Sequence, residues 1–329
     1  MKALIYTGPS TLAYADSADP NPQGGEALIK VDSIGICGSD MHAYLGHDDR
    51  RPAPLILGHE AAGIVVGGEK DGQRVTINPL VTCGECSACL SGRDNLCPDR
   101  QIISMPPRQG GFAEYLSMPM ANLGEIPDGF PMEKACMAEP IACGWHAARL
   151  AHGALHSGMS SARALVIGGG AIGVGAALSL ACFGVQDVTV LEPNKARRDY
   201  LKRTIDSPVL DPADLAEGDL FDLVIDGAGF AQTRNTASTV TRPGGVIMHI
   251  GLGGGEGGLD IRRMTLQEIT FIGTYTYTAE DFRATALAMF EGRLGALDWY
   301  ETRPLADGAE AFSEIRAGTV PAPKIILKP

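Results

Sequence analysis

The run ALVIGGGAIGVGAALSLACFGVQDVTVLEPN (164–194) limits the possible folds more than any other part of the chain. A short apolar stretch leads into Gly168-x-Gly170-x-x-Gly173 and an apolar helical stretch follows. VTVLEPN then reads as a second strand ending at Glu192, nineteen residues beyond the last glycine. Strand before, helix after and an acid closing the next strand is the setting in which this glycine spacing is informative. Gly168, Gly170 and Gly173, with Ala171 and Ile172 between them, let a pyrophosphate approach the helix N-terminus, where free N–H groups and the helix dipole favour anions. Glu192 can accept hydrogen bonds from both hydroxyls of an adenosine ribose and would repel a 2′-phosphate, so NAD is favoured over NADP. Arg197 and Arg198 on the next helix either cover the adenine or face solvent. FDLVIDGAG, PGGVIMHIGLGGG and ITFIGTYTYT continue the pattern of buried parallel strands whose carboxyl ends line a cleft.

The first half of the chain carries a different chemistry. C-G-S-D-M-H (37–42) and G-H-E (58–60) gather a thiol, two imidazoles and two carboxylates in a sequence with only seven histidines. Cys37 and His59 are donors that Zn²⁺ prefers. On a plain strand His59 and Glu60 would face opposite ways, so both reach one metal only if the backbone turns at Gly58. Glu60 is therefore either a ligand or a group that orients one. Glu139, in the apolar run MEKACMAEPIAC, is a second candidate, because a lone buried carboxylate is costly unless paired or metal-bound. A helix over SDMHAYLG would place Ser39 and His42 on one face, able to pass a proton from a buried group to solvent. Cys83, Cys86, Cys89 and Cys97 follow the spacing C-x2-C-x2-C-x7-C. Four thiolates leave no open coordination position, so that site is structural. Cys136, Cys143 and Cys182 sit among apolar neighbours and read as small core residues.

At 329 residues the chain exceeds one ordinary core, and two domains are expected. Residues 1–140 alternate short β-like runs with Pro/Gly/Asp turns, interrupted by the cysteine lobe at about 80–100. Residues 141–277 are the dinucleotide-binding part, and 278–329 return to short β runs that rejoin the first. The 27 basic and 39 acidic residues leave a net charge of −12. That argues against nucleic acid or an anionic membrane as the main partner. No apolar run reaches the length of a membrane-spanning helix and the start MKALIY lacks a secretory pattern, so the expected compartment is the cytoplasm. The β-rich run 268–277 can serve as an edge strand that pairs with another subunit.

Taken together, C-G-S-D-x-H, G-H-E, the four-cysteine lobe, G-F-A-E-Y at 111–115, E-P at 139–140 and the glycine motif resemble the zinc-dependent medium-chain dehydrogenase/reductase family over essentially the whole chain. The glutamate at 139, in place of a third zinc-binding cysteine, resembles the sorbitol and threonine dehydrogenase branch. The resemblance implies an α/β architecture, a GroES-like β-rich catalytic domain into which a Rossmann doubly wound parallel sheet is inserted. It implies a catalytic zinc on Cys37, His59 and either Glu60 or Glu139, and a structural zinc on the four cysteines, two ions per chain. Ser39 and His42 match the family's proton relay, while loops 249–254 and 273–277, with Gly251 and Thr274, would hold the nicotinamide. The implied reaction is reversible oxidation of a secondary alcohol of a polyol or sugar alcohol with NAD⁺, in a homodimer or homotetramer. A threonine-type hydroxy amino acid and a sugar-alcohol phosphate read by Arg50, Arg51 or Arg108 are the alternatives on the same scaffold, although Asp48 and Asp49 beside Arg50 and Arg51 favour a solvated loop there. A non-catalytic zinc- or NAD-binding protein is the alternative outside it.

Overall fold

Six parallel strands form the sheet to which the glycine motif belongs, in a computed structural model that describes all 329 residues. In spatial order they are Val209–Leu210, Asp187–Leu191, Arg163–Ile167, Phe221–Asp226, Thr241–His249 and Thr270–Gly273. The chain begins in the middle, works out to one edge and returns to build the other. Its connections therefore diverge at the carboxyl ends of Arg163–Ile167 and Phe221–Asp226, where a dinucleotide cleft opens in sheets of this kind. Leu165, Val166, Val190, Leu223, Val224 and Ile225 are fully buried, because helices cover both faces. The edge strand is shorter than the apolar run suggested. It ends at Gly273, after which the chain leaves the sheet.

The second sheet is built mostly from the first third of the chain. Its order is Leu123–Glu125, Arg74–Ile77, Glu60–Val66, Glu26–Gly35, Lys324–Lys328 and Tyr300–Pro304, with Tyr115–Pro119 also paired to Glu26–Gly35. A smaller sheet of Thr11–Asp16, Lys2–Gly8 and Leu55–Ile56 closes over it. Leu4, Ile29, Ile34, Leu57, Phe112 and Phe312 fill the space between. The GroES-like β-rich unit and the Rossmann sheet anticipated from the sequence are thus both present. Strand Lys324–Lys328 arrives from the far end of the chain, antiparallel to Glu26–Gly35 and parallel to Tyr300–Pro304.

Helix Ala138–Ala154 ties the two units together, and Glu139 stands in its first turn. A Cβ on Gly144 would lie 2.6 Å from the Cα of Ala176 and closer still to its nitrogen. The helix therefore crosses Ala171–Cys182, the helix that follows the glycine motif, backbone against backbone. Farther along, His146 Nδ1 lies 2.7 Å from Asp281 Oδ2, and Arg149 donates to both Asp281 oxygens at 2.6 and 3.0 Å. Asp281 belongs to helix Ala279–Phe290. Burial opposes its charge, but His146, Arg149 and Thr278 outweigh burial and hold the carboxyl well below its usual 3.8. No helix is long and apolar enough to cross a membrane.

Two outcomes are expected. Gly144→Val drives a side chain into the backbone of the neighbouring helix and should cost about 1–3 kcal/mol, read by denaturant unfolding; unchanged stability would show that the crossing can open freely. Asp281 has a depressed folded-state pKa, so the stability it contributes is present above about pH 4 and lost as pH falls below that value. Asp281→Asn should flatten the acid side of a Tm-against-pH curve, and an unchanged curve would rule the staple out.

Candidate active site

Helix Gly38–Tyr44 begins on Cys37, whose N–H donates to Asp40 Oδ2 at 3.0 Å. Asp40 sits at the third helical position, where a carboxylate reaching back to the N-cap amide satisfies a donor the helix leaves unpaired. Its other oxygen accepts from the N–H of Gly58 at 3.2 Å and faces His59 Nδ1 at 3.5 Å. One wholly buried carboxylate thus fixes the helix and the turn at Gly58 and sets a negative charge beside the imidazole. The turn itself needs glycine. Gly58 has φ +89, and Phe112 Cδ1 occupies the space 2.6 Å from where a Cβ would stand. The backbone therefore does turn there, and His59 and Glu60 reach the same side. Cys37, His59 and Glu60 present ligand atoms all within 4.8 Å of one another. Burial opposes charging of His59, but Asp40 and the Cys37 sulfur push its pKa well above 6.5. The pocket favours positive charge, and its donor set of thiol, imidazole and carboxylate suits a borderline divalent ion.

Glu60 and Glu139 are held differently. Lys324 Nζ donates to both oxygens of Glu60 at 2.7 and 2.6 Å and to the Ile36 carbonyl at 2.8 Å, all out of contact with solvent. Glu139 lies outside the ligand cluster. It accepts a 2.7 Å hydrogen bond from the Tyr277 hydroxyl, and burial, reinforced by Glu60, pushes its carboxyl up to about 7. Asp40, Lys324 and Tyr277 were not singled out from sequence. Only Asp40 left a local sign there, as the acid three residues after the N-cap.

The ligand cluster and the glycine loop share one cavity of about 250 Å³. Cys37, Met41 and Glu60 line one side, Gly170, Ala171, Ile172 and Arg197 the other, with Lys324 at the base. A larger hollow of about 640 Å³ lies elsewhere on the β-rich unit and touches neither set. Ser39 and His42 are half-buried on helix Gly38–Tyr44 beside the cluster. Glu192 closes its strand as expected; here it accepts from the amides of Gly169 at 3.0 Å and Asn194 at 2.7 Å, bracing the glycine loop. Arg198 pairs with Asp211 instead of facing solvent freely. Gly251 and Thr274 lie at the ends of the neighbouring strands but do not line this cavity. Gly251 borders a separate hollow with His249 and Phe271, and Thr274 is anchored to the His249 carbonyl.

Of the two neighbouring arginines, Arg50 stays exposed in its loop and Arg51 differs from expectation. Arg51 is not part of a solvated loop: it is buried and donates to the carbonyls of Ser104 and Ser39 at 3.0 and 2.8 Å. Arg50 forks onto Asp48 and Arg108 pairs with Glu26, so each already has a counter-charge.

In the cysteine lobe, sulfur atoms of Cys83 and Cys89, Cys86 and Cys89, and Cys97 and Cys83 are 3.9, 3.5 and 3.5 Å apart. Zinc–sulfur bonds of about 2.3 Å in a tetrahedron require sulfurs about 3.8 Å apart, so the four fit such an ion. The amides of Glu85 and Cys86 aim at Cys83 and lower its thiol to about 7, toward the thiolate a metal needs.

Known proteins resemble this chain in sequence and fold. The family model for the alcohol dehydrogenase GroES-like domain matches residues 23–128, and that for zinc-binding dehydrogenases matches 171–292. L-galactonate-5-dehydrogenase of Escherichia coli (strain K12) is 37% identical over 314 residues, 90% of this chain and 89% of that protein. Sorbitol dehydrogenase of Bacillus subtilis (strain 168) is 36% identical over 212 residues, 62% of this chain and 59% of that protein. The crystal structure of L-idonate 5-dehydrogenase from E. coli K-12 superposes with a TM-score of 0.87 at 25% identity, covering 99% of this chain and 97% of that one.

Removing one member of a buried ion pair leaves the other charge uncompensated, at about 3–5 kcal/mol. Lys324→Met should lower stability by that amount in urea unfolding. A loss under about 1 kcal/mol would mean that Glu60 finds another partner.

Proposed function

The chain belongs to the zinc-dependent medium-chain dehydrogenase/reductase family, and from that premise we propose that it oxidises a secondary alcohol of a polyol or sugar alcohol to the ketone, reversibly, passing hydride to NAD⁺. The observation that carries this reading is the single cavity lined by Cys37 and Glu60 on one side and Gly170–Ile172 on the other. A hydroxyl activated at the first can meet a nicotinamide held by the second only where the two share a space. Residues 1–140 and 278–329 then make up the catalytic domain and 141–277 the NAD-binding domain.

Cys37, His59 and a glutamate would hold the catalytic Zn²⁺, with Glu60 favoured by its place in the cluster and Glu139 able to replace it. Cys83, Cys86, Cys89 and Cys97 would hold a second, structural ion. When bound, Zn²⁺ supplies the Lewis acidity that favours loss of the hydroxyl proton, and NAD⁺ supplies the hydride acceptor. The chain's own residues do the remainder. Asp40 faces the Nδ1 edge of the His59 ring, so the opposite nitrogen would be the one to meet the metal. Lys324 balances Glu60. Ser39 Oγ receives the substrate proton and the His42 imidazole hands it to solvent. Glu192 and the glycine loop favour NAD over NADP, and the exposed edge at Thr270–Gly273 suits pairing into a homodimer or homotetramer.

A sugar acid is the second reading, favoured by the L-galactonate and L-idonate dehydrogenases among the relatives. The intramolecular pairing of Arg50 and Arg108 and the burial of Arg51 favour the neutral polyol over the phosphorylated one.

Purified protein is expected to contain two zinc ions per chain and to reduce NAD⁺ with at least one of sorbitol, xylitol, L-galactonate or L-idonate. Threonine and galactitol 1-phosphate complete the panel. Cys37→Ser and His59→Ala should each lower turnover by at least about 100-fold while the lobe keeps its ion. Near-normal turnover in either variant, or no nicotinamide reduction with any secondary alcohol, overturns the proposal.

A further inference from the structure

Segment 274–279 connects the edge strand to helix Ala279–Phe290 and carries Tyr277, the only hydrogen-bond partner found for the Glu139 carboxylate. By hydrogen bonds its own domain holds it only at the two ends, although the Tyr277 ring is buried and packs on Phe282 with ring centres 5.7 Å apart. Thr274 donates its N–H to the His249 carbonyl at 2.9 Å, and Thr278 caps the helix by accepting from Asp281 at 3.1 Å. Between these anchors the amides of Tyr275, Thr276 and Tyr277 make no backbone hydrogen bond. Thr276 stands at φ +46 with its buried hydroxyl unpartnered. A β-branched residue in the left-handed region persists only where the surroundings impose it.

The surroundings are the cysteine lobe of the other domain. Asn95, buried in the turn between Cys89 and Cys97, donates its side-chain N–H to the Tyr275 carbonyl at 2.8 Å. Its neighbour Asp94 accepts from the N–H of Ala279 at 3.0 Å. Arg100 lies 4.9 Å from the centre of the Tyr275 ring. The lobe therefore grips the segment on either side of Tyr277, by groups that the metal itself does not use.

We propose that the cysteine lobe is a positioning device for the active site: Asn95 and Asp94 hold segment 274–279 in the conformation that brings the Tyr277 hydroxyl to Glu139. Asn95 and Asp94 are positioning residues, acting across the domain junction through Tyr277. A lobe without this role would stabilise only itself and its neighbours. The inference rests on the dehydrogenase reading only in placing Glu139 beside the reacting groups.

The test joins hydrogen exchange to a double-mutant cycle in the zinc-loaded protein. Asn95→Ala should speed amide exchange in a peptide spanning 274–279 by about 10-fold or more, with zinc content and far-ultraviolet dichroism unchanged. Tyr277→Phe should leave zinc content unchanged as well. Each variant should lower kcat by about 10-fold with little change in KM for NAD⁺, and the double variant should be no slower than Tyr277→Phe alone. Unchanged exchange in 274–279, or losses in kcat that multiply in the double variant, overturns the proposal. If Asn95→Ala loses zinc, Asp94→Ala carries the same measurements with the same outcomes. Should the protein reduce no nicotinamide, the exchange result alone decides, because it does not depend on the reaction.

Discussion

Buried negative charge governs this structure. Asp40, Glu60 and Glu139 are all withdrawn from solvent within one region; Lys324 pairs with Glu60, buried Arg51 and His59 act on Asp40, and Glu139 makes no ion pair. A low-dielectric interior penalises a carboxylate that lacks a charged partner. The upward shift of His59 and the rise of Glu139 toward neutrality are two expressions of that demand. A divalent ion between Cys37 and His59 would add positive charge to this region and draw Glu139 back toward its carboxylate form.

The two sheets meet where this charge is concentrated. Helix Ala138–Ala154 brings Glu139 to the junction and lies with its backbone against the helix that follows the glycine loop. A displacement of the cofactor-binding sheet would therefore pass directly to the carboxylate. The His146–Asp281–Arg149 cluster pins the same helix to the Ala279–Phe290 helix. Three contacts of different kinds, steric, ionic and through Tyr277, fall on successive turns of this one helix.

What could be read from the sequence was local. The glycine spacing, the cysteine lobe and the pairing of Cys37 with His59 each occupy a short stretch in which residue type and interval already imply geometry. Asp40 was within reach of the same reasoning, since its helix position makes it a capping acid. The Lys324–Glu60 pair spans 264 residues, the Asn95–Tyr275 contact 180, and the Tyr277–Glu139 bond 138. No periodicity or motif encodes such contacts, because they arise only when two sheets and a lobe come together. Arg51 shows the opposite failure: its acidic neighbours suggested solvent, yet tertiary packing buried it against carbonyls.

Lys324 also sets an order of events. It lies on a strand inserted beside Glu26–Gly35, yet it is synthesised after the whole parallel sheet. At about 5–20 residues per second, tens of seconds separate the emergence of Glu60 from that of its counter-charge. During that interval the nascent β-rich unit lacks an interior strand and holds a carboxylate it cannot bury. The parallel sheet, by contrast, is continuous in sequence and all its strands precede Lys324. The half of the molecule made earliest is thus the half completed last.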